Sequence, residues 1–233
     1  MGDGCSHDAA RAARWGSLVK SADQEALRSV AADLPDPMPS EIAALRSGAE
    51  SVWIFAYGSL MWDSEFPRAE AEPALLHGYH RCFCLYSYDY RGTRARPGLT
   101  LGLDRGGACR GIVFRLPPKD LAETIDRLWS REMTAPRVYD MRLLPVRTGL
   151  GTRRAFAFTV RRDHPDYAGR LPLDETARII AGAAGRRGRC RDYLAGTLRH
   201  LDELGLADPP LRRLGERVAG LGALCTPVPS SGS

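Results

Sequence analysis

Lysine is almost missing from this chain. Only Lys20 and Lys119 are lysines, so 31 of its 33 basic residues are arginine, and the formal net charge is +5. Such a bias, beside abundant alanine and glycine, reads as GC-rich coding more than as a selected basic surface, so no nucleic-acid partner is expected. The charge still admits an acidic small-molecule ligand. No apolar run approaches the roughly 20 residues needed to span a bilayer. A basic stretch followed by an apolar one, as in a secretory signal, is also missing at the N-terminus. A cytoplasmic protein with no membrane partner is therefore expected. Six cysteines show no Cys-x-x-Cys spacing, so neither a disulfide framework nor a zinc motif is indicated, and Cys82 and Cys84 read as reduced core thiols on one face of a strand. The histidines are few; His77 and His80 stand three apart, which on a strand points them to opposite faces. No metal and no other cofactor is expected.

Hydrophobic residues make up 44% and charged residues 26% of 233 positions, enough for a substantial core. Residues 1–50 read as an N-terminal helical extension and linker, broken by Leu34-Pro35-Asp36-Pro37-Met38-Pro39. Residues 226–233 read as a disordered tail, which leaves 51–225 as the folded unit. There Val52 to Tyr57, Tyr79 to Tyr88, Leu99 to Leu103, Gly111 to Leu116, Val138 to Val146 and Ala155 to Val160 carry strand patterns. Asp104-Arg105-Gly106-Gly107 reads as a turn between two of them. Pro118 to Glu132 reads as a helix, and the pattern from Asp174 onward is helical, with Leu194, Thr197, Leu198 and Leu201 in one stripe. Strands in the middle with helices at both ends predict an α+β fold.

Two features carry chemistry. Tyr57-Gly58-Ser59-Leu60 lies where an apolar strand ends in a glycine. Glycine permits unusual backbone conformations and close ligand approach. Successive backbone N–H groups in such a turn can hold a carboxylate or a developing oxyanion. Four letters alone equally describe an ordinary strand-ending turn. In the helix, Leu121, Ile125 and Leu128 form one stripe, and its continuation lands on Glu132. A carboxylate on the core-facing side of a last helical turn meets burial and the negative helix end, both of which favour a stronger base. The plainer alternative is a glutamate reaching water as the helix ends. Tyr139 follows at the start of the next strand, where it reads either as a packed aromatic or as a hydroxyl aimed at Glu132 or at substrate. Arg91-Gly92-Thr93 and Pro97-Gly98 bracket a loop that can bring a guanidinium to a substrate carboxylate, although a solvated arginine is the commoner case.

Taken in order, Tyr57-Gly58-Ser59-Leu60, Arg91-Gly92-Thr93 with Pro97-Gly98, Arg131-Glu132 with Tyr139, and Gly185-x-x-Gly188 with Asp192-Tyr193-Leu194 resemble ChaC-type γ-glutamylcyclotransferases over about residues 51 to 218. The resemblance implies the γ-glutamylcyclotransferase-like fold, a small mixed β-barrel or sheet with surrounding helices. It implies glutathione as substrate, cyclised at its γ-glutamyl group to release 5-oxoproline and Cys-Gly. Glu132 would be the catalytic base. Tyr57, Gly58, Ser59, Leu60, Arg91 and Tyr139 would bind substrate. Where many family members carry a glycine before the tyrosine, this chain has Thr134-Ala135-Pro136-Arg137-Val138. Two other readings stand beside this one. The first is a cyclotransferase for other γ-glutamyl amines or peptides. The second, of a different class, is an RNA-binding module that uses Gly185-Arg186-Arg187-Gly188 as a backbone clamp.

Overall fold

The structure, a computed structural model, describes residues 51–62, 67–132 and 137–223. The expected N-terminal extension 1–50 and tail 226–233 lie outside the described residues. Five strands close into a barrel in the order β1-β3-β2-β4-β5: β1 Trp53–Ala56, β2 Glu70–Ser87, β3 Gly98–Arg115, β4 Tyr139–Thr148 and β5 Gly151–Val160. Neighbours run antiparallel except β1 and β5, which meet in parallel and make the barrel mixed. Among the described residues four helices accompany it: α1 Leu121–Glu132, α2 Leu173–Gly182, α3 Cys190–Glu203 and α4 Pro209–Ala223. Between α2 and α3 lies a short hairpin of β6 Ala184–Gly185 and β7 Gly188–Arg189. The architecture is α+β, as the sequence pattern predicts.

Alternation along β1 divides its buried residues between two of the three core clusters. On β1, Trp53 and Phe55 join a cluster made of strand residues that fills the barrel, including Leu76, Leu103, Val113 and Val146. Ile54 and Ala56 face the other way and join the larger cluster with Phe114, Ile125, Leu194 and Leu214, which cements the helices to the barrel wall. Burying a leucine-sized side chain contributes about 1.5–3 kcal/mol, so this outer cluster fixes the helices firmly. The α3 stripe is as expected for Leu194, Thr197 and Leu201, with Leu198 half-buried.

One expectation fails. Asp104-Arg105-Gly106-Gly107 does not reverse the chain: β3 runs unbroken from Gly98 to Arg115. Gly106 (φ 102°) and Gly107 (φ 71°) instead oppose Gly78 (φ 82°) at a shift in the β2–β3 register. Only glycine adopts these angles cheaply. Here that freedom bends two 18-residue strands through a bulge, which a closed barrel requires.

Candidate active site

Helix α1 follows a single 3-10 turn, Pro118–Asp120, and buries Leu121, Ile125 and Leu128. The stripe delivers Glu132 as the sequence predicts, with 18% of its side chain exposed. It meets a niche of about 50 Å³ lined by Tyr57, Gly58, Ser59, Leu60, Leu101, Glu132, Tyr139, Phe158 and Tyr193. The structure therefore brings six of the seven expected site residues together.

The turn after β1 is a 3-10 turn, Ser59–Met61. Its own hydrogen bonds start at Met61 N–H, which donates to Gly58 O at 2.9 Å, and at Trp62 N–H, which donates to Ser59 O at 3.2 Å. The Ser59 and Leu60 N–H groups that open the turn are not used by it, as is usual for a first helical turn. Gly58 sits at φ −140°, not at the positive φ that its glycine invites, and an added Cβ would meet only Leu101 Cδ1, at 3.8 Å. Side chains hold the turn in place. Trp62 stacks on His200 of α3 with ring centroids 4.6 Å apart, and Arg131 donates to Ser59 Oγ at 3.0 Å. The same guanidinium lies 3.2 Å from Glu132 Oε1.

Three tyrosines complete the niche. Tyr139 donates its hydroxyl to the Leu101 carbonyl at 2.9 Å. The Tyr193 hydroxyl oxygen accepts from the Leu101 N–H, and Tyr57 hydrogen-bonds Tyr139. Burial first, then neighbouring phenols and Glu132, push Tyr57 and Tyr139 well above an ordinary phenol; burial pushes Tyr193 up to about 12. All three are neutral donors at any working pH. Leu101, Phe158 and Tyr193 are the niche residues to which the sequence reading assigned no role, and of these Tyr193 alone has a polar side chain. Its available signal was position: the second residue of Asp192-Tyr193-Leu194, just inside the start of α3.

Arg91 is absent from the niche lining. Its guanidinium lies 4.6 Å from the Tyr193 ring centroid and donates to the Arg187 carbonyl. It therefore braces a niche residue from behind. The glycines of its loop are explained by close packing: a Cβ on Gly92 would fall 2.0 Å from Gly98 N, and one on Gly185 would fall 2.3 Å from Asp89 O. Arg186 N–H and Arg187 N–H donate to the Asp89 and Tyr90 carbonyls. The Gly185–Gly188 hairpin is thus packed onto residues 89–92 as a brace, which does not favour a nucleic-acid clamp.

A buried arginine also escaped sequence reasoning. Arg81 on β2 donates to the Tyr57 carbonyl at 2.5 Å and the Arg110 carbonyl at 2.6 Å, and pairs with Asp208 at 2.7 Å. Only 1% of its side chain is exposed. It fixes the end of β1 from which the turn springs. A lone arginine between His80 and Cys82 in a strand pattern was the only sign of it.

Cys82 departs from the expected core thiol. Cys84, Cys109 and Cys190 are buried, whereas Cys82 is half-buried and lines a second cavity; all four are free. Cys82, His80 and Asp104 bring a sulfur, a ring nitrogen and a carboxylate oxygen within 4.8 Å of one another. Asp104 is already saturated there, accepting from Arg162 Nε at 2.6 Å, Tyr167 OH at 2.8 Å and Arg105 N–H at 2.8 Å.

Comparison with known proteins shows the family and the fold. Residues 52–220 match the family model described as ChaC-like protein. The glutathione-specific gamma-glutamylcyclotransferase of Escherichia coli K12 is 36% identical over 199 residues, spanning 85% of this chain and 81% of its own. The enzyme of that name from Schizosaccharomyces pombe is 30% identical over 176 residues, spanning 65% of this chain and 84% of its own. A crystal structure of a yeast gamma-glutamyl cyclotransferase specific to glutathione shares the fold, with a TM-score of 0.65 at 22% identity over 73% of this chain and 96% of that one. With a family match over most of its described residues, the chain belongs to the ChaC-like family.

Proposed function

We propose that this protein cyclises the γ-glutamyl group of glutathione, releasing 5-oxoproline and Cys-Gly, with Glu132 as general base. One observation carries the reading: the apolar stripe of α1 delivers a carboxylate to a small niche that faces the Tyr57–Leu60 turn. The names of the relatives supply the substrate. The substrate's α-amine is tethered to its own γ-carbonyl, so the enzyme has mainly to fold it and move a proton. Glu132 takes the amine proton as nitrogen attacks the carbon of the γ-carbonyl. The carbonyl becomes an oxyanion, for which the Ser59 and Leu60 N–H groups are suitable donors. The amide C–N bond to cysteine then breaks, and Glu132 returns the proton to the leaving amine. Water is not consumed.

The catalytic unit on this reading is the barrel with its helices, within residues 51–225, and the substrate-binding residues are Tyr57, Gly58, Ser59, Leu60 and Tyr139, with Arg91 acting through Tyr193. The four described cysteines are free, and no described helix is long and apolar enough to cross a membrane; both fit a cytoplasmic location. Incubation with reduced glutathione in ¹⁸O-labelled water tests the reaction. The expected products are unlabelled 5-oxoproline and Cys-Gly. Glutamate labelled in its γ-carboxylate as the first product would overturn cyclisation in favour of hydrolysis. Glutathione acetylated on its α-amine, and α-glutamyl-Cys-Gly, should both be inert. Parallel assay of γ-glutamyl-alanine separates strict use of glutathione from wider use of γ-glutamyl amines.

A further inference from the structure

A cavity of about 570 Å³ shares no lining residue with the Glu132 niche. Its walls come from β2 and β3 beside their bulge, from the 169–171 loop and from α2 and α4. Cys82 and His80 lie on one wall. Arg105, Arg170 and Arg213, all exposed among the described residues, stand around it, and Leu171, Leu211 and Leu214 provide an apolar floor. Its volume is that of clefts that hold small organic ligands.

The thiol here is equipped to react. His80 Nδ1 lies 3.0 Å from the Gly106 carbonyl. A carbonyl only accepts, so Nδ1 carries the hydrogen, and Nε2 is left to take the Cys82 proton. Hydrogen bonds from Cys84 and then from His80 hold the Cys82 thiol below the usual thiol range, and the bond to Cys82 lifts His80 to about 9. A thiolate–imidazolium pair is the nucleophilic form of cysteine. Asp104 adds a negative charge nearby, but Arg162 offsets it at 2.6 Å. The remaining field is set by the three exposed guanidinium groups, which favour an acidic partner.

We propose that Cys82 is a site of thiol–disulfide exchange with small acidic disulfides, which the surrounding arginines draw into this cavity. The Cys82 thiolate attacks one sulfur of the disulfide. A bond forms from Cys82 Sγ to that sulfur, the original S–S bond breaks, and the other half leaves as a thiolate. The Cys82 proton passes to His80. One disulfide is consumed and one is formed, so no further oxidant enters. The inference is independent of the cyclotransferase reading, because the site and the chemistry are separate.

The test uses the full chain and three disulfides of similar size: 3,3′-dithiodipropionate (acidic), bis(2-hydroxyethyl) disulfide (neutral) and cystamine (cationic). None contains a γ-glutamyl group. Peptide mapping by mass spectrometry follows each of the six cysteines with time. The acidic disulfide should label Cys82 first, and about tenfold or more faster than cystamine, the low end of what electrostatic steering supplies. Glutamate at Arg170 and Arg213 together should erase that preference while leaving the neutral reagent's rate unchanged. His80→Gln should slow all three reagents alike. Labelling of another cysteine ahead of Cys82, or equal rates at Cys82 for the acidic and cationic reagents, would overturn the proposal. The comparison between reagents is made on the unaltered chain, so it stands even if a variant fails to fold.

Discussion

The niche that holds Glu132 encloses about 50 Å³, whereas the cavity that holds Cys82 encloses about 570 Å³. Strand β3 lines both, through Leu101 in the niche and Asp104 to Gly107 in the cavity. The niche is walled by three half-buried tyrosines and a backbone turn, which are held by hydrogen bonds to one another and to fixed neighbours. The cavity is walled by a half-buried thiol and long, exposed guanidinium side chains. The difference follows the demands of each reaction. A substrate whose nucleophile is already tethered needs close confinement and fixed dipoles, because the gain comes from orientation. An exchange reaction must admit a whole second molecule, so room and long-range charge matter more than precision.

This contrast can be broken most sharply at Glu132. Glu132→Gln should lower turnover of glutathione by about 10²–10⁴-fold with the melting temperature unchanged, whereas Cys82→Ser should leave turnover as it is. Steady-state kinetics on the two variants side by side checks both; wild-type turnover in the glutamine variant would remove Glu132 from the mechanism. Next in size is Arg81→Met. It strips donors from two carbonyls and leaves Asp208 unpaired, so urea unfolding should show a loss of about 3–5 kcal/mol. Tyr139→Phe should cost up to about tenfold in kcat/KM, the worth of one hydrogen bond at about 0.5–1.5 kcal/mol. The smallest effect belongs to Arg137, which sits at φ 58°. Arg137→Gly relieves a left-handed backbone but frees the unfolded chain, for a net gain of up to about 1 kcal/mol by thermal unfolding.

What was legible in the sequence was what has a period. The stripe Leu121, Ile125, Leu128 carried forward to Glu132, and the apolar run before Gly58 ended in a turn as read. Signals with two meanings were misread. Glycine pairs mark reversals and bulges alike, so Gly106-Gly107 looked like a loop until Gly78 was seen opposite. Cys82 and Cys84 share a strand, but only the structure shows that one faces a cavity. Arg81 and Tyr193 were hidden for another reason: each matters through partners more than 20 residues away in the sequence, and no local pattern records such a meeting.

Asp208 does two things at once. Its carboxylate receives the Leu211 N–H at 3.1 Å, which starts α4, and its other oxygen pairs with Arg81, which grips the carbonyl of Tyr57. The last helix of the described chain thus secures the first strand's end. On the ribosome, Arg81 and the Tyr57–Leu60 turn emerge long before Asp208 does. Until then the guanidinium has no carboxylate to pair with and the turn has no fixed base. Synthesis of the chain therefore carries its own checkpoint: a nascent or truncated product ending before residue 208 holds every residue of the Glu132 niche, yet lacks the carboxylate that secures their frame.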